Sequence, residues 1–177
     1  MRWRLIARSV RSAHHSFVDF RVASVGMWVE SHRSLIEPHD CDFNNHMNVM
    51  GYFSRFCNAG GYLLAQAGAS HGEAIALGLG VGTISNTIRY FDEVVHTDQV
   101  MINSAVFKIG RSSIHHGHRL VNVKSGALSA TCIFSEVLFG LESRASTPWP
   151  ADIRARLEDR VIELNDDQRA EYGSVYP

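Results

Sequence analysis

The sequence predicts an α+β fold in which one antiparallel β-sheet curls around a single long helix. Three observations carry that prediction. The stretch from Val49 to Gly68 is apolar at helical spacing and holds one charge, Arg55. Four long strand-like runs follow it, each closed by a turn signal. One strand-like run precedes it, separated by a loop crowded with polar side chains.

The first strand is expected over Met27 to Ile36, where MWVESHRSLI alternates loosely and carries the β-compatible Trp28, Val29, Leu35 and Ile36. Glu37-Pro38 ends it, because proline cannot donate to a ladder. The loop that follows, His39 to Asn48, gathers Asp40, Asp42, His39, His46, Asn44, Asn45 and Asn48 at the mouth of the helix. A carboxylate beside a helix N-terminus suits acyl chemistry: free N–H groups of the first turn hold a developing oxyanion while the carboxylate activates the attacking group.

In the helix itself, Val49, Tyr52/Phe53, Phe56/Cys57, Gly60, Leu63/Leu64 and Ala67 recur at spacings of three and four. Asn48 is the expected N-cap and Gly68 the expected stop. With Arg55 as its only charge the helix reads as covered on most sides. The pair Gly60-Gly61 costs about 1 kcal/mol per residue against alanine, which predicts close packing against another backbone. The runs Gly80 to Phe91, Gln99 to Ile109, Ser112 to Val123 and Ala127 to Phe139 have short connections and predict an antiparallel meander. At about 3.3 Å per residue, strands of about twelve residues reach roughly 40 Å, long enough to curl around one helix. Arg144 to Pro150 is a proline-fixed connection, Ala151 to Leu164 predicts a short amphipathic helix, and residues 165–177 predict a polar, fraying tail.

Composition narrows the function. With 45% hydrophobic and 20% charged residues, the 177-residue chain buries one sizeable core, placed over residues 27–164. A net charge of -1 supplies no bulk attraction to nucleic acid. No apolar run reaches the roughly 18 residues of a membrane span. Cys41, Cys57 and Cys132 lack disulfide or metal spacing, which predicts reduced thiols and a cytoplasmic location. Residues 1–26 stand apart: Arg2, Arg4, Arg8, Arg11 and Arg21 face a single acid, Asp19. That pattern fits a transit peptide, with a mitochondrial destination, or a disordered or spurious extension before a start at Met27.

Asp42-x-Asn44-x-His46-Met47-Asn48 followed by an aromatic-rich helix resembles the D-x-N-G-H-M-N signature of hotdog-fold acyl-CoA thioesterases of the 4-hydroxybenzoyl-CoA thioesterase-like superfamily. The segments Lys108 to Ser113 and Arg144 to Leu157 resemble the strand-turn-strand and the tail of that family, so the similarity spans residues 27–157. Asn45 stands where the family has glycine, and asparagine is among the residues most tolerant of left-handed backbone. The resemblance implies a hotdog fold and hydrolysis of an acyl-CoA without metal or other cofactor. It implies Asp42 as nucleophile or general base, and backbone amides around Val49 and Met50 as the oxyanion hole. Dimers or tetramers with sites at subunit interfaces are implied as well. His46 and Asn48 are candidates to orient the carboxylate or the substrate carbonyl, or to satisfy loop backbone groups. Tyr52, Phe53 and Phe56 are candidates for an acyl pocket and equally for core; Arg89, Lys108 and Arg111 are candidates for the coenzyme A phosphates. Asp40 reads as structural, since two ionised carboxylates converging on one carbonyl repel each other. His39, Asp40, Asp42 and His46 match no common metal spacing. His115, His116 and His118 read as solvated or subunit-contact groups.

Two other functions fit the same fold. Enoyl-thioester hydratases resemble D-x-N-P-x-H, with histidine five positions after the aspartate, whereas His46 is four after Asp42 and no proline intervenes. A non-catalytic acyl-CoA-binding protein would retain the fold without needing the charge of Asp42.

Overall fold

A computed structural model describes residues 27–177, and the N-terminal extension expected over 1–26 lies outside the described residues. The elements run β1 (Val29–Leu35), α1 (Val49–Ala65), α2 (His71–Ala76), β2 (Leu79–Tyr90), β3 (Gln99–Ile109), β4 (Ser113–Asn122), β5 (Leu128–Gly140), α3 (Ala151–Glu158) and α4 (Asp166–Tyr172). The five strands form one antiparallel sheet in the order β1-β3-β4-β5-β2. Each pairing contains a register shift, at Glu30/His32, Thr83/Ser85, Val106/Lys108 and Leu120/Val121. Such bulges bend a strand and increase its twist, so the sheet curls. Its concave face holds α1, through Tyr52, Phe56, Ala59, Val100, Ile102, Leu120 and Phe134. This is the hotdog arrangement that the resemblance implied.

The meander is corrected. Only β3, β4 and β5 follow one another; β2 lies beyond β5, in register from Leu79↔Gly140 to Tyr90↔Ala130. Residues 91–98 carry the chain from one edge toward the other, passing the N-terminus of α1, where Val94 is fully buried. Eight residues reach about 26 Å, ample for three strand spacings of about 4.8 Å. The choice of partner lies in side-chain fit: a Cβ at Gly80 would come within 2.9 Å of the Phe139 ring of β5, so glycine makes room for that ring.

Helix α1 is capped as expected, with Asn48 Oδ1 accepting the Gly51 N–H at 2.9 Å. It ends at Ala65, and the positive φ of 77° at Gly68 turns the chain away. The expectation of cover on most sides is corrected for the isolated chain, since Val49, Met50, Cys57 and Tyr62 are exposed. The two glycines also differ from expectation. A Cβ at Gly60 would stand 3.0 Å from the imidazole of His116, a side chain rather than a backbone, and Gly61 faces open space. Helix α2 was not anticipated, although Ser70-x-x-Glu73 is a capping box and both of its hydrogen bonds form.

The C-terminal region departs furthest from expectation. Helix α3 stops at Glu158 instead of Leu164. β1 pairs with β3 only as far as Ser104, and Val161 then bridges to Val106 in parallel, with Ile162 donating its N–H to the Val106 carbonyl at 2.9 Å. The segment expected to fray forms α4, whose Tyr172 is 1% exposed and packs with Phe107, Ile133, Ile162 and Leu164. On a strand, Phe107 and Ile133 point away from the helix-side residues Val106 and Cys132; the outer face of the sheet therefore has a core of its own. No helix of the described residues is long and apolar enough to cross a membrane.

Candidate active site

The polar loop folds back on itself before α1. Cys41 bridges to Met47, Asp42 donates its N–H to the His46 carbonyl at 3.1 Å, and Asn45 donates to the Asp42 carbonyl at 3.0 Å. This tight return needs a left-handed residue, and Asn45 supplies it with φ 64°. The substitution for glycine therefore preserves the turn. Two further contacts fix the loop: Met47 donates its N–H to the Val94 carbonyl at 2.7 Å, and Asn48 to the Asp40 carbonyl at 2.8 Å. The crossing segment 91–98 thus holds the loop from outside while α1 holds it from below.

Asp42, its side chain 28% exposed, stands at the rim of a pocket of about 360 Å³, lined also by His46, Asn48, Val49, Tyr52 and Tyr90. Its Oδ1 accepts the Asn44 N–H at 2.8 Å, and its Oδ2 lies 3.6 Å from His46 Nε2. His46 Nδ1 stands 3.4 Å from Glu93, so the imidazole lies between two acids without closing a short hydrogen bond to either. The Asn48 side chain is committed to the helix cap. Among the described residues, nothing accepts the N–H groups of Val49 and Met50, which head α1 beside Asp42. Burial pushes the Tyr52 phenol up to about 12, and burial also raises that of Tyr90, against which it packs edge to face at 5.0 Å. Both remain neutral hydroxyls on the pocket wall.

The other candidates separate. Asp40 is held by Arg55 and turned from the pocket, in its structural role. Phe53 is partly buried against the core, and Phe56 lies fully within it. Arg89 donates to the Ala170 carbonyl at 2.6 Å, at α4. Lys108 and Arg111 lie at the β3–β4 turn, near Val137 and Gly82, whereas the pocket lies at the opposite end of the sheet, at Tyr90. Within one chain none of these three cations lines the Asp42 pocket.

The histidine triplet is corrected. His115 is partly exposed and faces Ser135, but His116 and His118 are 1% and 0% exposed. His116 Nε2 meets Glu136 Oε2 at 3.1 Å, and His116 Nδ1 meets His118 Nε2 at 2.8 Å. His118 Nδ1 then contacts the Ser104 hydroxyl, which contacts that of Ser31. Burial, followed by the charge of His116, drives the His118 imidazole well below the ordinary histidine range, so it is neutral. Two histidines and a glutamate are brought together by pairing of β4 and β5, which sequence spacing did not reveal; the alternation His116-x-His118 was the one available sign of a shared face.

A curled sheet around a helix whose N-terminus carries a carboxylate loop defines the hotdog class. The match to the thioesterase-like superfamily covers residues 36–157, and the chain belongs to that family. No curated protein sequence matches it. Among solved structures, the hypothetical protein SAV2348 from Staphylococcus aureus, in complex with CoA, superposes with a TM-score of 0.75 at 16% identity, covering 86% of this chain and 98% of that one. The 1,4-dihydroxy-2-naphthoyl-CoA thioesterase Slr0204 from Synechocystis gives a TM-score of 0.66 at 15% identity, with coverage of 72% and 94%. The gentisyl-coenzyme A thioesterase BH1999 gives 0.64 at 17% identity, with coverage of 71% and 98%. At these identities the likeness is one of fold.

Proposed function

We propose that this chain hydrolyses an acyl-CoA thioester to a carboxylic acid and coenzyme A. The observation that carries the reading is the joint placement of the Asp42 carboxylate and the unpaired N–H groups of Val49 and Met50 at the head of α1. Membership of the thioesterase-like superfamily and the CoA-bound and CoA-thioester-cleaving structures of the same fold support it. Asp42 attacks the thioester carbonyl or takes a proton from an attacking water. Negative charge develops on the carbonyl oxygen, where the two main-chain N–H groups and the positive end of the helix stabilise it. Collapse breaks the carbon–sulfur bond; the departing thiolate takes up a proton, and water completes the acid. His46, close to both Asp42 and Glu93, orients the carboxylate. The exposed apolar residues Val49, Met50 and Tyr62 of α1 and Ile84 of β2 favour pairing with a second copy as part of this reading.

The test is release of free thiol from short, long, aromatic and polar acyl-CoAs by the native protein and by Asp42→Asn. The variant keeps the size of the side chain and removes its charge. Turnover of at least one substrate, with a loss of about a hundredfold or more in kcat for the variant, is expected of an essential acid–base or nucleophilic group. Equal rates for the two proteins would leave Asp42 as a loop residue and remove this mechanism.

A further inference from the structure

A second cavity, of about 470 Å³, lies at the other end of α1, between the C-terminal half of that helix, α2, and strands β2 and β5. It shares no lining residue with the Asp42 pocket. Its walls are mainly apolar, with Phe56, Leu64, Phe134 and Phe139 among them, and the Glu136 carboxylate is set into this surface. Glu136 Oε1 accepts from the Thr83 hydroxyl at 2.9 Å and Oε2 from His116 at 3.1 Å. The polar chain continues behind it through His118, Ser104 and Ser31 to the carbonyl of Ile102, inside the sheet and away from the cavity.

Such a chain is a costly way to fill a core, because every member must be desolvated and well-packed apolar groups would serve stability as well or better. It does hold one carboxylate in a fixed position. Burial pushes the Glu136 carboxyl up toward the neutral form, but the hydrogen bond and charge of His116 and the hydrogen bond from Thr83 outweigh burial and hold it below the usual carboxylate range, so the group stays ionised. Each carboxylate oxygen has two acceptor sites, and each is engaged by one protein donor. The Glu136 side chain is 13% exposed where His116 is 1% exposed, so the spare acceptor capacity opens toward the cavity. Gly61, on the α1 wall of the same cavity, has open space where a Cβ would stand.

We propose that this cavity is a ligand site for a small apolar molecule or chain ending in one hydrogen-bond donor, an ammonium or a hydroxyl, which Glu136 receives. The apolar body displaces water from the phenylalanine walls, and the donor meets a carboxylate already oriented by Thr83 and His116. Ligands that end in a carboxylate or an ether are disfavoured, the first by repulsion and the second because it has no proton to give.

The experiment is a calorimetric titration of the native full chain with octan-1-ol, octylamine and 1-methoxyheptane, which have the same number of heavy atoms and differ in the terminal group. Tighter binding of the alcohol, the amine or both than of the ether, by about tenfold, is expected of a hydrogen bond to a charged group. The amine alone exceeding the ether assigns the donor to cations, and the alcohol alone assigns it to neutral hydroxyls. Glu136→Gln, which removes the charge and one of the two acceptor oxygens, reduces the preference. Gly61→Leu, at a position where an added Cβ meets no atom within 4 Å, projects into the cavity against its apolar walls and abolishes binding of all three probes. Equal affinity of all three for the native protein, or binding unchanged in Gly61→Leu, overturns the proposal. The comparison of probes on the native protein and the Gly61→Leu arm stand whether or not Glu136→Gln folds.

Discussion

Arg55 clasps Asp40 through two hydrogen bonds, Nη2 to Oδ2 at 2.6 Å and Nη1 to Oδ1 at 3.0 Å, with each side chain only 11% exposed. The same guanidinium donates Nε–H to the Ser34 hydroxyl and Nη2–H to the Leu35 carbonyl. One side chain on α1 therefore joins the end of β1, the polar loop and the helix. The single charge of an otherwise apolar helix is where the polar loop is fastened.

Arg55→Ala leaves the Asp40 carboxylate covered and unpaired, and chemical denaturation should record a loss of about 3 kcal/mol. The hydrogen bonds from Arg55 hold the Asp40 carboxyl below the usual carboxylate range. A folded-state value below the unfolded one stabilises the protein above the unfolded value, near pH 3.8, and that contribution disappears as pH falls through the folded value. Asp40→Asn should therefore flatten the acid side of the stability–pH curve below about pH 4. An unchanged acid slope in that variant refutes the assignment.

Asn45 sits at φ 64°. Asn45→Gly, which removes the cost of a side chain in the left-handed region, should match or exceed native stability by up to about 1 kcal/mol, and the proposed thioesterase activity should persist. Asn45→Val, which places a branched Cβ in the left-handed region, should cost about 1–2 kcal/mol and disturb Asp42, read as a fall in kcat. A valine variant as stable as the glycine variant would refute the strain argument.

Gly117 lies under the Phe107 ring on the outer face, and a Cβ there would overlap the ring. Gly117→Ala should destabilise by about 2 kcal/mol through overpacking. In a double-mutant cycle, Phe107→Leu should recover part of that loss, giving a coupling of at least about 0.5 kcal/mol. Additive effects would mean that the two residues do not meet.

Tyr172 anchors α4 on the outer face, with Phe107 at 5.1 Å edge to face and its hydroxyl on the His118 carbonyl at 3.3 Å. Tyr172→Ala should cost about 3 kcal/mol, the range for truncating a large buried ring. Deletion of residues 165–177 should lower thermal stability at least as far. A deletion with native melting behaviour would return this segment to a tail.

The sequence by itself determined the helix-in-sheet fold, the cap at Asn48 and the placement of the polar loop at the mouth of α1. Each of these depends on local signals: helical periodicity, a side chain that accepts the N–H three residues on, and proline or glycine punctuation. Asn45 was legible too, because its tolerance of a left-handed turn belongs to the residue. The tertiary structure alone decided which strand lies next to which, and through that pairing it joined Glu136 of β5 to His116 of β4 and Thr83 of β2. It also separated Arg89, Lys108 and Arg111 from Asp42, and gave the polar C-terminal residues a buried face under Phe107 and Ile133. Strand neighbours are chosen by the fit of side chains distant in the chain, as where Gly80 yields to Phe139, and no spacing along the sequence records that fit.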